Sequence, residues 1–155
     1  KVKVGQVHYM DGNTGDPQAE CNRDAALLAK YPVDIVVLGI GENTHLAFND
    51  PHVADFRDPL VVKIVDLDQD CRIQQVNDGA FPQIQDVPTH AITITIPALL
   101  EAKYAYAIVP GSLKADAIYH TVNSDISETY PSTILRKKEN AVLYIDKDSA
   151  SKLAY

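Results

Sequence analysis

The chain is poor in cysteine, in basic charge and in long apolar runs, and each shortage excludes something. Cys21 and Cys71 are the only cysteines among 155 residues. They stand far apart without Cys-x-x-Cys spacing, so neither zinc nor a disulfide framework is supported, and two free thiols suit a reducing compartment. Lys and Arg number 14 against 21 Asp and Glu, for a formal net charge of −7 and a pI of about 5.0. That balance disfavours unaided binding to nucleic acid or anionic membranes, which need a basic face. A local anion site stays open, because a few cations or helix-end amides suffice for one. No run reaches the ~18–20 apolar residues of a membrane-spanning helix. No signal-peptide pattern and no Asn-x-Ser/Thr sequon occurs, and a cytoplasmic location is expected. The first residue, Lys1, is not a natural start, so a segment upstream is expected. What remains is an ordinary globular composition, 46% hydrophobic and 23% charged, in a chain long enough for a core.

Strand-like and helix-like stretches alternate. "VKVGQVHY" reads as a strand and "MDGNTG" as a turn. Asp16-Pro17 is a helix start, with Asp as N-cap and Pro in the first helical position, followed by "QAECNRDAALLAKY" with Cys21, Ala25 and Leu28 on one face. "VDIVVLGIG" is apolar throughout, as a strand covered on both faces should be. "LVVKIVDL" is a further strand, "DQDCRIQQVNDG" a helix, and the alternating, β-branched "HAITITI" a strand. Pro97 opens the short helix "ALLEAK". "YAYAIV" is a strand, "SLKADAIYHTV" a helix, "STILRKKE" a short helix, "AVLYID" a last strand and "DSASKLAY" a terminal helix. There is no repeat or linker. The alternation predicts a single α/β domain over residues 1–155 with a largely parallel sheet, whose ligands sit at strand carboxyl ends.

Two polar loops fall at such ends. "GIGENTHLAFNDP" (39–51) follows "DIVVL". Gly39 and Gly41 let the backbone turn sharply and approach a ligand. His45 can move protons near neutral pH, Asn43 can orient it or bind a hydroxyl, and Asp50 can hold the imidazole in one tautomer. Asn49-Asp50-Pro51 also makes a good turn, so a purely structural cluster is the competing reading. "VPGSLKADA" (109–117) ends a strand at Gly111 and starts a helix with Ser112 and Lys114 in its first turn. Backbone N–H groups, a hydroxyl and an ammonium there suit a phosphate. It lacks the Gly-x-x-x-x-Gly-Lys pattern of a P-loop. The alternative is an N-cap serine beside a solvated lysine.

Other features carry less. "DLDQDC" (66–71) mimics an EF-hand opening, but Cys71 stands where Gly is needed and Asn77 where Glu is needed, so these acids read as a helix start. His8, His52, His90 and His120 lack ligand-like spacing and read as surface or packing histidines. "RKK" (136–138) reads as a solvated face.

With these residues in hand, the chain resembles the glucosamine-6-phosphate deaminase/isomerase family. The signature Gly-x-Gly-x-Asn/Asp-Gly-His-x-x-Phe-Asn-Glu/Asp-Pro stands here as Gly39, Gly41, Asn43, Thr44, His45, Phe48, Asn49, Asp50 and Pro51. "DGNTGDPQAEC" upstream and "DVPTHAITITIPALLEAKYAYAIVPGSLKADAI" and "SETYPSTILRKKENAVLYIDKDSAS" downstream extend the likeness over nearly the whole chain. The related 6-phosphogluconolactonases have Gly-His-x-x-Ser-Leu-Phe, so "HLAFND" points to the deaminase side.

The resemblance implies a three-layer Rossmann-like fold with a mostly parallel sheet, lacking here its N-terminal strands and helices. It implies ring opening by His45, with Asn43 and Asp50 as partners. It implies substrate binding by Gly41, Ser112 and Lys114, with Lys114 on the phosphate. The implied reaction converts an amino sugar phosphate to a ketose phosphate through an enolamine and releases ammonia, without metal or organic cofactor. Three departures stand out. Thr44 replaces a glycine, Asn43 cannot ionise, and only Arg72 is available where the family often has a phosphate-contacting arginine. The family's Gly-Gly phosphate loop and the aspartate that moves the C2 proton are not matched, so the chain reads as the later part of a larger domain. The expected partner is a small sugar phosphate, not nucleic acid or membrane, and homo-oligomerisation stays open. Two alternatives remain: a non-catalytic sugar-phosphate-binding effector domain, and a lactonase-like hydrolase.

Overall fold

The structure is a computed structural model that describes residues 5–154. Helix α1 spans Pro17–Lys30, and its start obeys the local rule: the Asp16 carboxylate accepts from Ala19 N at 3.0 Å, and Pro17 takes the position that needs no N–H. Strands β1 (Ile35–Leu38), β4 (Tyr104–Val109) and β5 (Ala141–Ile145) form a parallel sheet in the order β1-β4-β5, with Ile35 opposite Tyr104 and Ala105 opposite Ala141. Strands β2 (Val62–Asp66) and β3 (His90–Ile94) pair antiparallel as a separate ribbon, a detail the alternation of elements did not indicate. Helix α2 (Gln69–Asn77) leaves β2, α3 (Ile96–Glu101) joins β3 to β4, and α4 (Ala115–Asn123) follows β4 after a 3₁₀ turn at Ser112–Lys114. Another 3₁₀ segment, Pro131–Lys137, replaces the short helix expected at "STILRKKE".

Three expectations need correction. The opening strand lies partly outside the described residues, and 5–9 are irregular. Residues 147–153 form turns rather than a terminal helix; Ser149 N and Gly111 N both donate to the Asp146 carboxylate instead. The basic run at 136–138 is not merely solvated. Arg136 donates to the carbonyls of Val122 and Ser124 at the end of α4, where a cation meets the negative end of the helix dipole, and Lys138 Nζ donates to Leu100 O at 2.9 Å.

The core lies on one face of the parallel sheet. Leu38, Ala105, Ala107 and Val109 point into it and meet Leu46, Ile96, Ile118 and Ile134. Alternate residues of the same strands point the other way and are bare: Ile35 is 53% exposed, Val37 66%, Ile108 52% and Tyr144 53%. Since side chains alternate across a sheet, this is one whole face and not scattered exposure. β1 is also an edge strand among the described residues. The reading of "DIVVL" as a strand for burial on both faces is thus met on one face only. No helix among the described residues is long and apolar enough to cross a membrane.

Candidate active site

The loop after β1 folds back tightly on itself. Thr44 N donates to Gly41 O at 2.9 Å and Gly41 N donates to His45 O at 3.0 Å. This hairpin lays the His45 imidazole over Gly41, where a Cβ would overlap the ring, so position 41 must be glycine for His45 to sit there. Thr44 has φ 71°, in the left-handed region. A β-branched residue there is strained by roughly 1–2 kcal/mol. The glycine of the family signature at this position avoids that strain. Thr44 Oγ1 is buried without a partner among the described residues.

His45, Asn43 and Asp50 converge. His45 Nδ1 lies 2.8 Å from Asn43 Oδ1 and 3.0 Å from Asp50 Oδ1. Both oxygens are acceptors, so Nδ1 carries a proton, and Nε2 has no hydrogen-bond partner among the described residues. Asn43 Nδ2 donates to Asp50 Oδ1 at 3.1 Å, and Asp68 N donates to Asp50 Oδ2 at 3.2 Å. Asp50 is fully buried. Burial pushes its carboxyl up, but the hydrogen bonds from His45 and Asn43, the charge of His45 and the Asp68 amide outweigh this and hold it below the usual carboxylate range. Asp50 is therefore an ionised buried group. Its carbonyl also closes a turn, accepting from Val53 N and Ala54 N, so Asp50 belongs to the turn as well as to the cluster.

The rest of the motif is structural. Asn49 Nδ2 donates to Leu46 O and Ile94 O, and Phe48 N donates to Thr93 Oγ1, which fastens the loop to β3.

A cleft of about 220 Å³ opens where β1 and β4 end. Gly41, His45, Ile108 and Lys114 line it together. The structure thus unites two loops 70 residues apart in sequence at the carboxyl ends of neighbouring parallel strands, the place such sheets use for ligands. Ser112 is exposed and is not among the cleft-lining residues, and its turn begins at Gly111 with φ 97°. Gly111 N is already taken by Asp146, so the cluster of free amides expected there is reduced by one. Arg72 does not reach the cleft: its Nη2 donates to Ile84 O and Val87 O, bracing the loop before β3. Gln74 of α2 does line it, and its Oε1 accepts from Glu42 N at 3.0 Å. Sequence reasoning missed Gln74, and only its place on the inner face of α2 marks it.

His45, Asp50 and Cys71 offer three donor atoms within 4.8 Å of one another. The chemistry of the set argues for a hydrogen-bonded cluster. Burial and the charges of Asp50 and Asp68 push the Cys71 thiol up to about 12, so it keeps its proton, and the Asp50 oxygens already accept from protein donors. The acids at 66–70 behave as a helix start: Asp68 caps α2 by accepting from Cys71 N at 2.7 Å.

Fold and cleft together define an α/β domain with a buried histidine and a lysine lining one cleft at the carboxyl ends of two parallel strands. The chain belongs to the glucosamine-6-phosphate isomerase/6-phosphogluconolactonase family, whose model matches residues 1–144. It is 37% identical over 146 residues to a glucosamine-6-phosphate deaminase of Bacillus cereus, covering 94% of this chain and 54% of that protein. The same figures hold for the deaminase of Bacillus thuringiensis. The solved structure of a monomeric glucosamine-6-phosphate deaminase superposes with a TM-score of 0.83 at 34% identity, over 92% of this chain and 57% of the other. A 6-phosphogluconolactonase from Thermotoga maritima shares the fold, with a TM-score of 0.66 at 20% identity over 93% of this chain and 57% of the other. The chain therefore spans about half the length of the proteins it matches.

Proposed function

We propose that this chain is the later portion of a single α/β domain that opens the ring of glucosamine-6-phosphate and converts it to fructose-6-phosphate and ammonia. The observation that carries the reading is the His45 imidazole. Its Nδ1 proton is fixed by Asn43 and Asp50, and its free Nε2 belongs to a cleft shared with the Lys114 ammonium. Opening a cyclic hemiacetal takes a proton from the anomeric hydroxyl and gives one to the ring oxygen. One imidazole can do both in turn: Nε2 accepts the first, and the imidazolium, stabilised by ionised Asp50, donates the second. Lys114 binds the phosphate as a point charge. Moving the C2 proton to C1, which makes the ketose skeleton and frees the amino group for hydrolysis, needs a carrier from outside these residues. The bare sheet face fits that division, because Ile108 belongs both to it and to the cleft wall.

The test is direct. Intact protein mixed with glucosamine-6-phosphate is expected to release ammonia and form a ketose phosphate. Calorimetric binding of the sugar phosphate without ammonia over hours would favour an effector domain instead. Hydrolysis of a sugar lactone without ammonia would favour a lactonase.

Lys114 has a separable role. A cation that acts equally on ground and transition states changes KM more than kcat. Lys114→Ala is expected to raise KM for glucosamine-6-phosphate with kcat largely kept. A collapse of kcat at constant KM would give the lysine another role.

A further inference from the structure

We infer that Asp68 is a positioning residue for His45, acting through Asn43, and that Asn43 and Asp68 form a matched pair. The inference rests on the catalytic reading of His45. Asn43 can help His45 only if its amide is turned with Oδ1 toward Nδ1. That oxygen accepts from His45 N at 3.1 Å and lies 2.8 Å from Nδ1. What fixes the amide this way round is the other end. Its Nδ2 sits between two carboxylates, 2.9 Å from Asp68 Oδ2 and 3.1 Å from Asp50 Oδ1. A flipped amide would point oxygen at both carboxylates and a donor at the Nδ1 proton, so every contact would become repulsive.

Asp68 is placed for this by α2 itself. Its Oδ1 caps the helix through Cys71 N, its own N–H holds Asp50 Oδ2, and only Oδ2 remains to take the Asn43 amide. One residue thereby ties the first turn of α2 to both partners of His45. The pairing also explains why an amide stands at position 43. An aspartate there would bring a third carboxylate against Asp50 and Asp68 in a half-buried site, where like charges cannot all ionise. Asn43 and Asp68 are then one donor–acceptor unit, and changing either alone breaks it.

The experiment uses the intact protein with glucosamine-6-phosphate as substrate and the ¹⁵N spectrum of the His45 ring as a second readout. Asp68→Ser keeps an N-cap hydroxyl but is too short to reach Asn43. It should leave the thermal midpoint near that of the parent, lower kcat about tenfold, as loss of a supporting hydrogen bond does, and reduce the share of the Nδ1–H tautomer. Unchanged kcat and an unchanged His45 spectrum in Asp68→Ser would leave Asp68 a helix cap only and overturn the inference. Should that variant not fold, the swap decides. Asn43→Asp should be impaired, and the double variant Asn43→Asp/Asp68→Asn, which restores a donor opposite an acceptor, should recover about tenfold of the loss. Absence of any recovery overturns the pairing. Were the parent protein to release no ammonia, the proposed function would fall, yet the His45 tautomer in Asp68→Ser would still decide the role of Asp68.

Discussion

His45→Ala is expected to lower ammonia release by the intact protein at least ~100-fold, the scale of a general acid–base group, with the fold retained. The reasons are local and specific. His45 is buried, its ring lies over the Cα of a glycine that has no substitute at that spacing, and its Nδ1 proton is shared by two oxygens. Such support aims Nε2 at one place in the cleft. Removing the imidazole leaves Lys114 to bind phosphate but no group among the described cleft residues with the right proton affinity to open the ring. Asp50 is ill-suited as a replacement, since it is fully buried and already engaged by Asn43 and the Asp68 amide. The check is steady-state ammonia release, with circular dichroism to confirm the fold. Near-normal turnover would remove His45 from the chemistry.

The second large effect concerns the 155 residues expressed alone. They are expected to aggregate and to show no deaminase turnover, whereas the intact protein is soluble and active. The structure gives the cause. Val37, Ile35, Ile108 and Tyr144 present an apolar face, and among the described residues β1 leaves an unpaired strand edge beside it. Both are templates for association. The cleft is also walled on that side by Ile108 alone of the sheet-face residues, so the layer that covers the face would complete the site. The curated relatives are nearly twice as long as the matched stretch, which leaves ample chain for such a layer. Size-exclusion chromatography and an ammonia assay on both forms decide the matter. A monodisperse, cooperatively unfolding 155-residue product with normal turnover would falsify the proposal that the chain is part of a larger domain.

The elements legible from sequence were those whose causes are local. Asp16-Pro17 starts a helix because one carboxylate and one missing N–H act within a single turn. The β-branched alternation of "HAITITI" makes β3, and the spacing Gly41–Asn43–His45–Asp50 builds its cluster because a tight turn brings those side chains together within a few residues. The losses at both ends have the opposite cause. "GQVHY" has strand-like composition, but no neighbouring strand pairs with it among the described residues, and "DSASKLAY" has helix-compatible residues, but Ser149 near its start is held in a turn by Asp146.

What the sequence by itself determined is therefore the α/β alternation, the caps of α1 and α2, and the identity of the residues in the glycine–histidine loop, all fixed by interactions within a few positions. Only the tertiary structure decided that Lys114 shares a cleft with His45, that Arg72 braces a loop instead of reaching the site, that Gln74 lines the cleft, and that Asp68 holds both Asn43 and Asp50. Each of these contacts joins different elements of the chain. No periodicity or local spacing encodes such a meeting, because it is set by which strands lie side by side and how each helix packs upon them.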